Sequence, residues 1–195
     1  MIRVAIPNKG VLCEPSKRLL ERLGFSFSGR KLFSYAGNYE AALVRAQDVP
    51  VVLEEGAAQL GITGYDVARE SGVRLRSLLD LGFGKCRLVL AGQIGSSLAG
   101  IGQKPRVATS FPNLARKYFR QKGIEARIVR VSGAVENTIR LGMADYIVDL
   151  TSSGRTLMEN RLVVLDTLLE SSARLVSRGN GKEASAFARK LEGLL

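Results

Sequence analysis

Short apolar segments alternate with helical patterns along most of this chain, and that alternation constrains its fold more than any other feature. Residues 2–6 alternate in polarity as a strand does, and residues 15–23 place three leucines on one helical face before Gly24. We expect further strands at 42–45, 60–63, 87–91, 107–108, 126–131, 146–148 and 162–165, and further helices at 49–59, 65–71, 112–122 and 183–194. Strands that alternate with helices predict an α/β fold with largely parallel sheets.

The segment from residue 146 to residue 157 has the strongest functional signal. A short apolar run, Tyr146–Val148, predicts a buried strand, and Asp149 stands at its carboxyl end. Hydroxyl residues and Gly154 follow and open another helical pattern. A helix start offers free backbone N–H groups, and a glycine lets a phosphate approach them. Because the same spacing also occurs where Asp or Ser merely caps a helix, the spacing alone leaves both interpretations open.

Several function classes are excluded or made less favourable by composition. The chain has no histidine, which excludes Ser-His and Cys-His nucleophile schemes and histidine zinc sites. Its two cysteines, Cys13 and Cys86, have no metal-binding spacing and are typical of a reduced, cytoplasmic chain. We expect no signal peptide and no membrane span, because no stretch approaches the roughly 20 apolar residues that a span needs.

The net charge of +11 leaves two hypotheses for the partner. One is nucleic acid, and the other is a small substrate that carries many phosphates. The basic residues are scattered from Arg3 to Lys190, and the densest group, at 116–122, has the pattern of a solvated helix face. This distribution favours the phosphorylated substrate.

Ordered motifs extend over nearly the whole chain. They are AIPNKG at 5–10, GRKL at 29–32, VRAQDVP at 44–50, GITGYD at 61–66, LGFGKCRL at 81–88, RVAT at 106–109, and the segment 136–157. Together they resemble the ATP phosphoribosyltransferase family, whose members catalyse the first step of histidine biosynthesis. The absence of an extra carboxy-terminal domain is similar to the short form of that family.

The resemblance implies an α/β, two-lobed, periplasmic-binding-protein-like (type II) fold with a ligand cleft between the lobes. Residues 1–87 plus 163–195 would form lobe I, on the ATP side. Residues 88–162 would form lobe II, which binds phosphoribosyl pyrophosphate. The short form also implies a histidyl-tRNA-synthetase-like regulatory subunit and a mixed oligomer.

The implied reaction transfers the phosphoribosyl group to N1 of ATP and gives N1-(5-phosphoribosyl)-ATP and pyrophosphate. Adenine N1 already has a lone pair, so the reaction is compatible with a chain that lacks histidine. Positioning and stabilisation of the leaving pyrophosphate would supply most of the catalysis, with Mg²⁺ carried by the substrates rather than by a metal site of the protein. The alternative hypothesis is a non-catalytic two-lobed protein that binds a nucleotide or another anion.

The resemblance implies a role for each matching residue. The residues that would cradle the 5-phosphate are Ser152, Ser153, Gly154, Arg155 and Thr156. Asp149 would accept hydrogen bonds from the ribose hydroxyls, and Glu136 would support the ribose or magnesium, although each carboxylate could instead stabilise its own helix. The catalytic clamp on the polyanion would be Lys9, Arg30 and Arg45. Gly10, Lys31 and Asp66 would contact ATP, with a helix cap as the alternative for Asp66.

Three positions depart from the family pattern. Val11 stands where the family usually has arginine, and Gln59 stands where it usually has an acidic residue. Ser152 occupies a place that is often acidic. We expect the missing arginine charge at position 11 to weaken substrate binding.

Overall fold

A computed structural model describes residues 1–29, 31–102, 104–179 and 181–195. In chain order its elements are β1 (Ile2–Pro7), α1 (Cys13–Glu21), β2 (Phe33–Ala36), β3 (Tyr39–Val44), α2 (Val49–Glu54), β4 (Leu60–Gly64), α3 (Tyr65–Glu70), β5 (Arg76–Asp80), β6 (Cys86–Gln93), β7 (Arg106–Thr109), α4 (Pro112–Gln121), β8 (Arg127–Arg130), α5 (Asn137–Arg140), β9 (Tyr146–Thr151), α6 (Arg155–Glu159), β10 (Leu162–Ser171), β11 (Ala173–Ser177) and α7 (Lys182–Glu192), with a 3-10 turn at Leu98–Gly100. No helix in these ranges is long and apolar enough to cross a membrane.

The chain divides into two compact units. The first contains Met1–Lys85 and Ser172–Leu195, and the second contains Cys86–Ser171. Each unit has its own sheet and its own buried apolar clusters. The α/β class predicted from the sequence is confirmed, but the expectation of largely parallel sheets is wrong. Both sheets are mixed: antiparallel strands lie on both sides of three parallel strands in the first sheet and on one side only in the second.

The sheet of the first unit has the order β2-β3-β1-β4-β11-β5. Strands β3 and β4 both run parallel to β1, one on each side. Pro7 pairs with Val44, so the loops after β1 and β3 leave the same edge of the sheet. One face of this sheet packs on a cluster that includes Leu20 and Phe187, and the other packs on a smaller cluster around Val49 and Leu53.

The sheet of the second unit has the order β10-β6-β9-β7-β8. Strands β8 and β9 flank β7 and run parallel to it. Strand β10 pairs with β6 in antiparallel fashion along its whole length, from Leu162 opposite Gln93 to Ser171 opposite Cys86. Residues 163–171, assigned to the first lobe from the sequence, therefore belong to the second unit. The predicted strand at 162–165 was too short, since two register shifts after Val164 and Thr167 break the polar alternation.

The two units share one strand topology, although the sequence shows no internal repeat. In each, a central strand is followed by a parallel neighbour on one side and then by a parallel neighbour on the other, β1-β3-β4 in the first and β7-β8-β9 in the second. The strand order thus reverses at β1 and at β7. Open α/β sheets bind ligands outside the carboxyl ends of their strands at such a point.

Glycines account for two details of the first unit. The predicted helix at 49–59 ends at Glu54, because Gly56 takes a positive φ of 71° that ends the helical turn. A Cβ on Gly61 would lie 2.4 Å from Val49 Cγ1, so glycine lets α2 lie directly on β4.

Candidate active site

The loop after β9 contains the residues predicted to hold a phosphate. Gly154 has a φ of 76°, in the left-handed region, and immediately precedes α6. The side chains of Ser152, Ser153, Arg155 and Thr156 are exposed. Helix α6 has only five residues, so its dipole is short, and the loop amides themselves are the main donors.

Hydroxyl groups of the loop already hold two of these amides. The Gly154 N–H donates to Thr151 Oγ1 at 2.8 Å, and the Arg155 N–H donates to Ser153 Oγ at 3.4 Å. The N–H groups of Ser153 and Thr156 have no acceptor among the described residues. The turn is therefore formed by its own side chains and still presents free donors to an anion.

Two carboxylates lie close to this loop. Asp149 is half-buried in β9, and its Oδ1 accepts the Leu150 N–H at 2.8 Å. Burial raises the pKa of Asp149, the hydrogen bond from Leu150 lowers it, and the nearby charge of Glu136 raises it again. Glu136 is half-buried at the residue before α5. The structure thus brings together the two acidic residues that the sequence assigned to one sugar.

The carboxylate pair suits a substrate that brings its own cation. No group of three or more Cys, Asp or Glu side chains that could hold a metal ion occurs within the described ranges. Mg²⁺ is commonly held by one or two carboxylates plus substrate phosphates. Glu136 fits that arrangement and would complete the coordination of an ion already bound to phosphate, which leaves Asp149 beside it for the ribose hydroxyls.

The cations predicted for the clamp lie in the first unit, after the parallel strands. Lys9 follows β1 and Arg45 follows β3, and the Asn8 N–H donates to the Val44 carbonyl at 2.7 Å between them. Both side chains are exposed, and neither forms an ion pair with any residue that the structure describes. Arg30, the third member, lies outside the described residues.

The residues predicted to contact ATP have different environments. Gly10 takes a φ of 80°, and its carbonyl accepts the Cys13 N–H at 3.1 Å as α1 begins. Lys31 is exposed. Asp66 is only 4% exposed in the first turn of α3 and folds back over Gly64, where a Cβ would lie 2.4 Å from Asp66 Oδ1. The N-cap position of α3 is Gly64, so Asp66 lies inside the first turn rather than at the cap.

The unusual residues at positions 11 and 59 also have definite environments. Val11 is 81% exposed and places an apolar side chain next to Gly10. Gln59 accepts the Arg3 N–H through Oε1 at 2.9 Å, so its amide contributes to the junction between β1 and the start of β4. Gln59 therefore has a structural contact that an acidic side chain would also be able to make.

Comparison with known proteins supplies the family. The model of the HisG family, described as ATP phosphoribosyltransferase, matches residues 45–195. The chain belongs to the ATP phosphoribosyltransferase family. An ATP phosphoribosyltransferase from Methanopyrus kandleri is 47% identical over 205 residues, which cover 100% of this chain and 72% of that protein.

Solved structures support the same assignment at the level of the fold. The ATP phosphoribosyl transferase (HisG:HisZ) complex from Thermotoga maritima has a chain that is 32% identical, with a TM-score of 0.87 and coverage of 100% of this chain and 98% of that one. A histidine kinase sensor domain with similarity to periplasmic binding proteins matches with a TM-score of 0.64 at 15% identity, over 100% of this chain and 90% of that one. The predicted family, the periplasmic-binding-protein-like fold and the enzyme class, a transferase of histidine biosynthesis, are confirmed.

Sequence reasoning missed one residue of the loop. Thr151 was placed in the loop but given no role, yet its hydroxyl oxygen accepts the Gly154 N–H. The available signal was a threonine three residues before a glycine, since Ser and Thr side chains commonly close such turns on the backbone.

Proposed function

We propose that the chain transfers the phosphoribosyl group of phosphoribosyl pyrophosphate to N1 of ATP, the reaction that opens histidine biosynthesis. The observation that carries the proposal is the loop after β9 in a member of this family, with a left-handed Gly154 and free amides beside two carboxylates. The new bond joins adenine N1 to the anomeric carbon of the ribose. The bond that breaks joins that carbon to pyrophosphate, which leaves with the electron pair.

In this proposal the second unit holds the sugar donor. The segment from Ser152 to Thr156 binds the 5-phosphate through its amides, its hydroxyls and the exposed Arg155 side chain. Asp149 accepts hydrogen bonds from the ribose hydroxyls, and Glu136 supports the ribose or a Mg²⁺ ion bound to the pyrophosphate. The hydrogen bond from Leu150 fixes the Asp149 carboxylate, so its second oxygen is oriented before the sugar arrives.

The first unit then supplies positive charge to the polyphosphates. Lys9 and Arg45 are exposed cations at one edge of the sheet, and Arg30 completes the clamp. Cations aimed at the leaving group stabilise the charge that develops on pyrophosphate in the transition state. Gly10 and Lys31 lie in the same unit and contact ATP, and Asp66 is buried in the first turn of α3 of that unit.

A second subunit completes the proposal. The relative from Thermotoga maritima is described as a HisG:HisZ complex, which supports a regulatory partner of the histidyl-tRNA-synthetase type and a mixed oligomer. We place the enzyme in the cytoplasm, where ATP and phosphoribosyl pyrophosphate are available and where the free thiols of Cys13 and Cys86 stay reduced.

The test is an adduct assay. The purified chain is mixed with ATP, phosphoribosyl pyrophosphate and Mg²⁺, with and without the regulatory subunit, and the absorbance of the phosphoribosyl-ATP adduct is followed. We expect adduct and pyrophosphate in equal amounts. Tight binding of both substrates with no adduct in either mixture would instead identify a non-catalytic binding protein.

A further inference from the structure

Thr151 belongs to the phosphate loop but has no role in the proposed function. It ends β9, pairs with Arg87 of β6 and is half-buried, so the sheet fixes its backbone. Its Oγ1 accepts the Gly154 N–H at 2.8 Å, which is a short, well-formed hydrogen bond across a three-residue turn. This contact joins the end of β9 to the residue that precedes α6.

The contact acts on the one glycine of the loop. Gly154 takes a φ of 76°, and a glycine has more backbone freedom to lose than any other residue. A Cβ at Gly154 would meet nothing within 4 Å, and the Gly154 carbonyl accepts the Met158 N–H at 3.1 Å. The hydrogen bond to Thr151 therefore fixes the N–H side of Gly154, as the first turn of α6 fixes its carbonyl side.

The Thr151 hydroxyl also retains a donor. A hydroxyl has one O–H donor and two acceptor lone pairs. One lone pair is used by Gly154, and no acceptor for the Thr151 O–H occurs among the described residues. The proton is therefore available to an oxygen of a bound phosphate while the same oxygen atom still holds the turn.

We propose that Thr151 is a positioning residue for the sugar donor: its hydroxyl fixes the Gly154 turn before the 5-phosphate binds and then donates to that phosphate. This inference rests on the proposed function, because it needs the loop to bind a 5-phosphate. It predicts a loss of affinity for the sugar donor alone, since the contact lies entirely within the second unit and does not involve the cations of the first.

The test compares Thr151→Val, which keeps the shape and removes the hydroxyl, with Thr151→Ser, which keeps the hydroxyl. Thr167→Val, another half-buried threonine of the same unit, is the matched control. The first probe is ribose 5-phosphate in calorimetry, because it carries the 5-phosphate but has no leaving group to react. We expect Thr151→Val to weaken its binding about 5- to 10-fold, as the loss of one hydrogen bond does, while Thr151→Ser and Thr167→Val stay within about twofold.

Steady-state kinetics give the second measurement. The KM for phosphoribosyl pyrophosphate should rise in Thr151→Val while the KM for ATP stays unchanged, and the melting temperature should stay within the range of the control. Unchanged ribose 5-phosphate binding in Thr151→Val, or an equal rise in both KM values, overturns the inference. Normal ribose 5-phosphate binding by a wild-type chain that makes no adduct would reject the proposed reaction and leave the role of Thr151 to be decided by the calorimetry.

Discussion

At the scale of single residues, the second unit contains two aspartates whose pKa values move in opposite directions. Burial and the Glu136 charge raise the pKa of Asp149. Hydrogen bonds and the charge of Arg106 lower the pKa of Asp145, whose Oδ1 lies 2.6 Å from Arg106 Nη2. The surroundings of Asp149 thus disfavour its ionised form, as is common where a site is built for a ligand rather than for stability.

This contrast predicts opposite effects on stability. The ionised form of Asp149 is less favourable in the folded chain than in the unfolded chain. The contribution of Asp149 to the free energy of unfolding therefore falls as the pH rises above about 3.9, the pKa of this carboxyl in the unfolded chain. Asp149→Asn keeps the acceptor for Leu150 and removes the charge. We expect it to raise the melting temperature at pH 7, with the gain vanishing near pH 4, while adduct formation falls about 100-fold or more.

Asp145→Asn is the matched control. The lowered pKa of Asp145 stabilises the fold above about pH 3.9, and this stabilisation is lost as the pH falls through the folded value. We therefore expect Asp145→Asn to lower the melting temperature at pH 7 and to have little effect in acid. Thermal unfolding of both variants across pH 3–8 checks the pair. A lower melting temperature for Asp149→Asn at pH 7 would show that the Asp149 charge stabilises the fold.

Arg45 allows the complementary prediction, a loss of activity without a loss of stability. Its side chain is exposed and forms no ion pair with the described residues, so its removal leaves no buried charge behind. We expect Arg45→Ala to slow turnover about 100-fold while the free energy of unfolding stays unchanged. Arg18→Ala, at another exposed arginine of the same unit, should leave both quantities at wild-type values. Wild-type turnover in Arg45→Ala would remove this residue from the clamp.

At the scale of elements, the position of Arg45 depends on how α2 packs. The helix begins four residues after Arg45, and Val49 lies over Gly61 of β4. A methyl group on Gly61 would come within 2.4 Å of Val49 Cγ1 and 3.3 Å of Leu53 Cδ1, so α2 would have to move away from the sheet. The conformation of the loop that carries Arg45 is thereby tied to a single glycine.

Gly61→Ala should therefore destabilise the chain by about 1–3 kcal/mol, the usual cost of overpacking a core. The added Val49→Ala substitution makes room for the new methyl group. We expect the double variant to lose less stability than the sum of the two single variants, because the two positions are in contact. Urea unfolding measures all three, with Gly179→Ala as a control at a glycine where a Cβ meets nothing within 4 Å. Strict additivity would show that α2 does not rest on Gly61.

The same elements show what the sequence was able to predict. Lys9, Arg45 and Gly154 follow strands whose apolar runs are local signals, so their places after strands could be predicted. Asp149 was expected at the end of its strand but lies within β9, which continues to Thr151. Strands β2, β5 and β11 were missed, because β2 and β5 lie at sheet edges and carry exposed or polar residues that weaken the alternation. β11 is mostly buried on both faces and has no clear alternation.

Contacts between distant residues set the rest of the site. The proximity of Glu136 to Asp149 depends on how α5 packs on β9, and no spacing in the sequence encodes it. The burial of Asp66 over Gly64 depends on where α3 begins. The sequence predicted the start of this helix, but it did not predict the direction of the Asp66 side chain. The predicted lobe boundary between residues 162 and 163 differs from the structure for a similar reason. The pairing of β10 with β6, rather than any linker composition, decides which unit that strand joins.

At the scale of the whole molecule, the second unit has the features of an independent domain. Its apolar clusters, one around Ile147 and one around Phe119, are formed only by residues of that unit. Its two ends, Cys86 and Ser171, are directly opposite in the β6–β10 ladder, so their Cα atoms lie about 5 Å apart. The first unit is closed in a similar way where the Ala173 N–H donates to the Phe83 carbonyl at 2.9 Å.

We therefore expect a fragment of residues 86–171 to fold alone and to unfold in one cooperative transition. Because the proposed phosphate loop, Asp149 and Glu136 all lie in it, the fragment should bind ribose 5-phosphate and should not bind ATP. The matched counterpart is the first unit with Lys85 joined to Ser172 through a short glycine linker, which should show the reverse preference. Circular dichroism and calorimetry on the two fragments provide the measurements. A fragment 86–171 that folds cooperatively but binds ATP instead of ribose 5-phosphate would reverse the assignment of substrates to units. A fragment that stays unfolded would show that the second unit depends on the first for its stability.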